Sequence, residues 1–258
     1  MTSQFMKLPL IGAFIKRLSS NIENYGLQKA CSLEIGRSET KIISFGLTDD
    51  LHLVLKNNPV IIVANHIYDI EPLAIFSQCP QRKDVYLIIN VLFTGFSKNI
   101  DQYLIPVYIK HHHAKSDFFK RGSGTLVRKL HKDYEMNPET EHQNNIESIE
   151  NAAKKVNKGS LLLIFPGRRG KNHAWRDGIG HLINQVSNPN TYIIKAYIKG
   201  SSNWDFLRLL PNVGKLLPKI QIHFASPSNI NEYKKLNNGK KITKKLEEEY
   251  NQWISTIK

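Results

Sequence analysis

The sequence predicts an α/β protein with a mostly parallel or mixed central sheet flanked by helices. Three observations carry this expectation. The runs 60–64 and 160–165 are apolar almost without interruption, as strands covered on both faces are. Further strand-like runs at 191–198 and 220–224 alternate with segments at helical spacing, the pattern of a mainly parallel sheet. A chain of 258 residues, 41% hydrophobic and 22% charged, is long enough for one large domain of this kind. We therefore expect a single domain over 1–258, with an N-terminal helical segment at about 1–35 and a C-terminal helix at about 240–257.

In chain order, residues 1–35 are expected to be helical and broken, with turns near Pro9 and Gly26. Phe5, Leu8, Leu10, Ile11, Phe14, Ile15 and Leu18, with Lys7, Lys16 and Arg17, form a short amphipathic pattern. It fits a helix lying on a membrane or one packed on the protein's own core. The apolar stretch 8–15 falls far short of the roughly 20 residues needed to cross a bilayer, and no small-residue cleavage site follows it. Residues 41–47 alternate and suit an edge strand. Asp49 and Asp50 can cap a short helix to Leu55.

After the strand 60–64 come Asn65 and His66, and Glu71-Pro72 opens an apolar helical segment. Proline suits the first helical position because its missing N–H has no partner there. Strands are expected at 84–89 and 103–109, with a helix or loop over 91–100; Pro106 favours a sheet edge or a bulge. Residues 110–132 are basic, with helical spacing over 118–131, and 132–145 is polar and predicted to be a loop. An amphipathic helix over 146–156 ends at Asn157-Lys158-Gly159, and another helix begins near Ile179.

Thirty-six Lys and Arg against 22 Asp and Glu give a net charge of +14. Such a surface attracts nucleic acid, anionic lipid or phosphorylated ligands. No nucleic-acid module is legible and no tyrosines interleave the basic run, so no nucleic-acid partner is expected. Cys31 and Cys79 show neither ligand spacing nor a disulfide framework, in keeping with a reducing cytoplasm. Adjacent His111, His112 and His113 cannot all face one ion, so no metal site is expected.

Ligands of open α/β sheets bind outside the carboxyl ends of strands, where the sequence puts His66. A nearby carboxylate can hold a histidine in one tautomer, ready to take a proton from a hydroxyl. Glu71 suits that role; Asp69 is a rival that also suits a helix cap. A plain hydrogen-bonded strand-end histidine is the alternative. A second strand end carries Phe165-Pro166-Gly167-Arg168-Arg169. Gly167 lets backbone approach a ligand, and Arg168 and Arg169 offer forked donors for a phosphate, or else a solvated basic turn.

Asn65-His66, four residues and Glu71 resemble the Asn-His-four-residues-Asp motif of the glycerolipid acyltransferases, the family that includes lysophosphatidic acid acyltransferases. Here glutamate stands for the family's aspartate. Phe165 to Arg169 is similar to that family's Phe-Pro-Glu-Gly-Thr-Arg-Ser block without its glutamate. Arg169 pairs with the family's arginine if one residue is deleted; without a gap Gly167 stands at the glutamate. Ile105-Pro106-Val107 resembles the block ending in an arginine for the acceptor phosphate, for which Lys110 is the nearest substitute. Ile194 to Gly200 resembles an apolar-Pro-Val strand, with Lys195 at the proline. The resemblance runs in order over roughly 51–200.

The resemblance implies an O-acyltransferase of phospholipid biosynthesis or remodelling. His66 and Glu71 would be catalytic, and Asn65, Gly167, Arg168, Arg169 and Lys110 would bind substrate. The acyl donor would be acyl-CoA or acyl carrier protein, with no cofactor, and the acceptor a lysophospholipid, foremost lysophosphatidate. Peripheral attachment to the anionic, cytoplasmic face of a membrane would follow. A catalytically degenerate lipid-binding member and an acyltransferase for a non-phosphate acceptor are the other readings.

Overall fold

The run Val60–Ala64 forms a strand, β2, with all five residues buried. Fully burying a Val or Ile side chain stabilises by about 1.5–3 kcal/mol, so this strand belongs at the centre of the protein. The structure is a computed structural model that describes residues 9–66, 69–108, 137–167 and 174–257. The other strands are β1 (Ile42–Phe45), β3 (Val85–Asn90), β4 (Leu104–Val107), β5 (Leu161–Ile164), β6 (Tyr192–Lys199), β7 (Ile220–Phe224) and β8 (Ser228–Asn229). They form one eight-stranded sheet in the order β1-β7-β6-β2-β5-β3-β4, with β8 paired to β6. The strands from β6 through β4 run parallel, whereas β7 is antiparallel to β6 and parallel to β1. The protein is α/β, and its sheet is mixed. Both expected edges are edges: β1 closes one side, and β4, carrying Pro106, closes the other.

The sheet separates two apolar layers. On one face Val60, Ile62 and Ala64 of β2 pack with Leu161, Leu163 and Ile194. The helices α1 (Pro9–Tyr25), α2 (Leu27–Arg37), α3 (Asp49–Asn57) and α4 (Glu71–Gln78) supply the cover, through residues such as Ile15, Ala30, Leu55 and Ile75. A short helix, α5 (Lys98–Asp101), follows β3. On the other face Ile61 and Val63 meet α6 (Pro138–Asn157), α7 (Gly178–Gln185) and α9 (Gly239–Ser255), with the short α8 (Asn231–Lys234) beside them. Every second residue of β2 feeds one layer, as strand geometry requires.

One sequence expectation is corrected, and two that left alternatives open are resolved. The stretch 132–145 is helical in its described part: α6 starts at Pro138, with the Asn137 side chain accepting from Glu139 N and Glu139 and Glu141 in its first turn. The cap, proline and acids carry the helix start that the missing apolar spacing concealed. The stretch 91–100 divides into a 3-10 turn, Val91–Phe93, and the start of α5. The described part of α1 turns Ile15, Leu18 and Ile22 into the core, with Ile11 and Phe14 packed beside them, and Arg17 pairs with Glu34 of α2 at 2.7 Å. Its apolar stripe is thus packed on the protein's own core. Among the described residues no helix is long and apolar enough to cross a membrane. Cys31 and Cys79 are free and buried; burial pushes both thiols up, that of Cys79 to about 12.

His223 of β7 lies opposite Phe45 of β1, with ring centroids 4.5 Å apart and planes 12° from parallel. Its Nε2 is enclosed without a hydrogen-bond partner among the described residues. Burial, then the charge of Lys199, lowers its pKa. The unfolded chain therefore takes up a proton at higher pH than the folded one. This contribution is present above the unfolded value of about 6.5 and is lost as pH falls through it. Urea midpoints should fall between about pH 7 and about pH 5.5 more steeply for the wild type than for His223→Phe, which keeps the stack; equal slopes would contradict the assignment.

Candidate active site

The carboxyl ends of β2, β5 and β6 lie side by side, and the sheet extends past β2 by one residue through a side chain. Asn65 Nδ2 donates to Ile198 O at 3.0 Å and Ile198 N donates to Asn65 Oδ1 at 2.8 Å. The amide thus copies the paired N–H and C=O of a ladder rung between β2 and β6. The Asn65 main-chain N donates to Tyr250 Oη at 3.1 Å, and that hydroxyl donates to Ala196 O at 2.8 Å. Tyr250 lies on α9, where Ile242, Leu246 and Tyr250 form its buried stripe. Its side chain is held between Trp175 and Trp253, with centroids at 5.1 and 5.8 Å. Burial raises the Tyr250 pKa, which keeps the phenol protonated as a donor.

This clamp sets the position of the next residue, His66. Its Nδ1 lies 3.4 Å from Oε2 of Glu71, the first residue of α4. The Glu71 side chain is 0% exposed, whereas that of His66 is 25% exposed. An enclosed carboxylate is tenable only with partners, and the His66 ring faces it at ion-pair distance. With Nδ1 turned to Glu71, Nε2 is the ring atom left for a substrate proton. The separation exceeds that of a short hydrogen bond, as is common before substrate binds. Phe165, from the end of β5, packs on the His66 ring at a centroid distance of 4.9 Å. Thus the two sequence motifs meet at one point. Pro72 stands in the first turn of α4, as its fixed φ favours.

The loop after β5 is closed at its base: Arg176 N donates to Pro166 O at 3.0 Å. Among the described residues a Cβ added to Gly167 would meet Trp175, at 3.5 and 3.6 Å, an ordinary contact. Arg168, Arg169 and Lys110, expected to bind substrate, lie outside the described residues, as do the three adjacent histidines. Asn65, expected at the substrate, has its amide on the main chain of β6 instead. Lys195, at the position of the family's proline, points to α9, with Nζ 3.5 Å from Glu249 Oε2. That carboxylate also accepts from the Tyr233 hydroxyl at 2.5 Å. Among the described residues there is no group of three or more His, Cys, Asp or Glu that could hold a metal.

Sequence reasoning missed Tyr250 and Asp205. Asp205 follows β6; its carboxylate accepts from Arg208 Nε at 2.9 Å and from Ser202 N at 2.9 Å. Burial pushes its pKa up, the two donors and the guanidinium charge pull it back, and the charge of Glu71 adds a further push upward.

No protein-family model matches this chain, and no curated protein matches it. Among solved structures it is similar to the 1-acyl-sn-glycerophosphate acyltransferase PlsC of Thermotoga maritima. The identity is 14%, the match covers 96% of this chain and 89% of that one, and the TM-score is 0.48.

Tyr250→Phe should remove the bridge between Asn65 N and Ala196 O and cost about 1–3 kcal/mol in stability, because both groups lose a partner in a buried place. Denaturant unfolding measures this; a change below about 0.5 kcal/mol would mean the phenol is dispensable.

Proposed function

We propose that the protein is an O-acyltransferase that moves a fatty acyl group from a thioester carrier to the hydroxyl of a lysophospholipid. The observation that carries this reading is the His66–Glu71 pair, an opened imidazole backed by a wholly enclosed carboxylate at the central carboxyl edge of the sheet. The resemblance of Asn65 to Glu71 and of Phe165 to Arg169 to the glycerolipid acyltransferase blocks supports it, since the fold brings these two segments into contact at His66 and Phe165.

In this reading His66 Nε2 accepts the proton of the acceptor hydroxyl as its oxygen attacks the thioester carbonyl. Glu71 holds the ring by Nδ1 and offsets the positive charge that the imidazole gains. The tetrahedral intermediate collapses by breaking the carbon–sulfur bond, and the imidazolium returns its proton to the leaving thiolate. The products are an ester and a free thiol. Main-chain N–H groups near Gly167 are the candidates for stabilising the oxyanion. Arg168, Arg169 and Lys110 would hold the acceptor phosphate. Asn65 serves the reaction by fixing the residue that precedes His66. The donor is acyl-CoA or acyl carrier protein, and the enzyme works at the anionic inner face of a membrane.

The test is thiol release from acyl-CoA or acyl carrier protein with a panel of lyso-acceptors. His66→Ala should reduce release to background, and Glu71→Gln should lower the rate by about 10²-fold or more. Wild-type release no faster than that of His66→Ala with every donor and acceptor would sink the enzyme reading and leave a lipid-binding protein. Gly167→Ala should leave stability within about 0.5 kcal/mol of wild type. A rise in the acceptor KM in that variant would then locate the ligand beside Gly167, and an unchanged KM would remove Gly167 from the binding site.

A further inference from the structure

β6 and β7 are antiparallel neighbours, and two to five residues would join them. The chain instead spends residues 200–219 on the connection. The base is pinched shut: Gly200 has φ +85°, and a Cβ there would lie 2.0 Å from Lys219 O. Inside the loop are two 3-10 turns, Asp205–Leu209 and Gly214–Leu216. The buried Arg208 holds them. Its guanidinium donates to Asp205, to Thr40 Oγ1 at 3.2 Å, to Gly214 O at 3.3 Å and to Pro218 O at 2.7 Å. Asn212 N and Gly214 N donate to Arg37 O and Ser38 O.

A loop this firmly anchored would be expected to carry polar residues outward. It does the opposite. Trp204 is 54% exposed, Phe206 45% and Leu216 78%, with the Trp204 and Phe206 rings 6.1 Å apart. The loop's one acid, Asp205, is turned inward to Arg208, so the charges it shows to solvent are Lys215 and Lys219. Exposed Arg37 and Lys41 lie on the segment to which the loop is bonded, and there Glu39 is 3.0 Å from Lys215. Within 37–41 and 200–219 four exposed bases stand against one exposed acid, beside the exposed Trp204, Phe206 and Leu216.

We infer that this loop is the element by which the protein enters an anionic lipid bilayer, with Trp204, Phe206 and Leu216 in the interfacial zone and the basic rim on the headgroups. The chemistry matches on both counts: Trp prefers the polar–apolar boundary, and lysine and arginine are drawn to anionic headgroups. The place matches as well, because the loop springs from the same sheet edge as His66 and Asp205 feels the charge of Glu71. The assignment places the contact on an element other than the described part of α1, whose Ile15, Leu18 and Ile22 face the core. It rests on the lipid-substrate reading for its purpose, though its test reads no catalysis.

The experiment is sedimentation with phosphatidylcholine vesicles, with and without phosphatidylglycerol. The wild type should pellet with the anionic vesicles, less so as salt rises. The variant Trp204→Ser/Phe206→Ser/Leu216→Ser should lose partitioning on the order of a hundredfold with an unchanged circular dichroism spectrum. Wild-type-like pelleting of that variant overturns the inference. Because the triple variant can misfold, a Trp175→Phe/Trp253→Phe protein provides a second reading: Trp204 fluorescence should be quenched by brominated lipid. An unquenched Trp204 overturns the inference whatever the pelleting shows. So does a wild-type dimer in sedimentation velocity that the triple variant splits, since the patch would then face a second copy. Loss of this inference leaves the thiol-release test intact, and loss of catalysis leaves the vesicle test intact.

Discussion

The pairing of β2 with β6 determines what the carboxyl edge of the sheet can do. Five residues of β2 are bonded in register to β6, from Val60 opposite Tyr192 to Ala64 opposite Ala196. Asn65 then continues the ladder with its side chain in place of its backbone. A strand that simply stopped at Ala64 would release a flexible chain, and a histidine on such a chain would sample many positions. The extra rung, braced by the Tyr250 hydroxyl, delivers His66 from a fixed point. Preorganised groups lose less entropy when they act.

Glu71 shows the same logic in electrostatic form. Its backbone is set by α4, whose packing through Ala74, Ile75 and Phe76 belongs to the core rather than to the site. The helix therefore places a carboxylate out of solvent with no local choice about where it sits. Glutamate, one methylene longer than aspartate, still brings Oε2 to 3.4 Å from Nδ1. The longer side chain at this position is compatible with the pairing.

The sheet and the His66–Glu71 pair were legible in the sequence because they rest on local signals. Unbroken apolar runs marked β2 and β5, and Glu71-Pro72 marked the start of α4. The direction of β7 was not legible, since an apolar run reads the same along either direction and only its pairing with β6 sets it antiparallel. The bonding of Asn65 to β6 was not legible for a related reason: an amide at a strand end suits a ligand as well as a neighbouring strand, and Ile198 lies 133 residues away. Tyr250 fell within the expected C-terminal helix, which does not disclose what its hydroxyl reaches. Arg168, Arg169 and Lys110 lie outside the described residues, so the phosphate-binding part stands on sequence alone. The loop 200–219 drew no attention because its apolar residues follow no single period.

The distance between Asn65 and Tyr250, 185 positions along the chain, has a consequence for biosynthesis. Domains form from the N-terminal side as synthesis proceeds. β2 and α4 leave the ribosome early, but β6 and α9 are made much later. Until α9 docks, Asn65 N and Ala196 O lack their bridge, and the histidine's anchor is incomplete. A nascent chain that has already made β2 and α4 therefore still lacks the two strands that flank β2 and the helix that braces this edge. The bracing of the residue before His66 is complete only once α9 has docked.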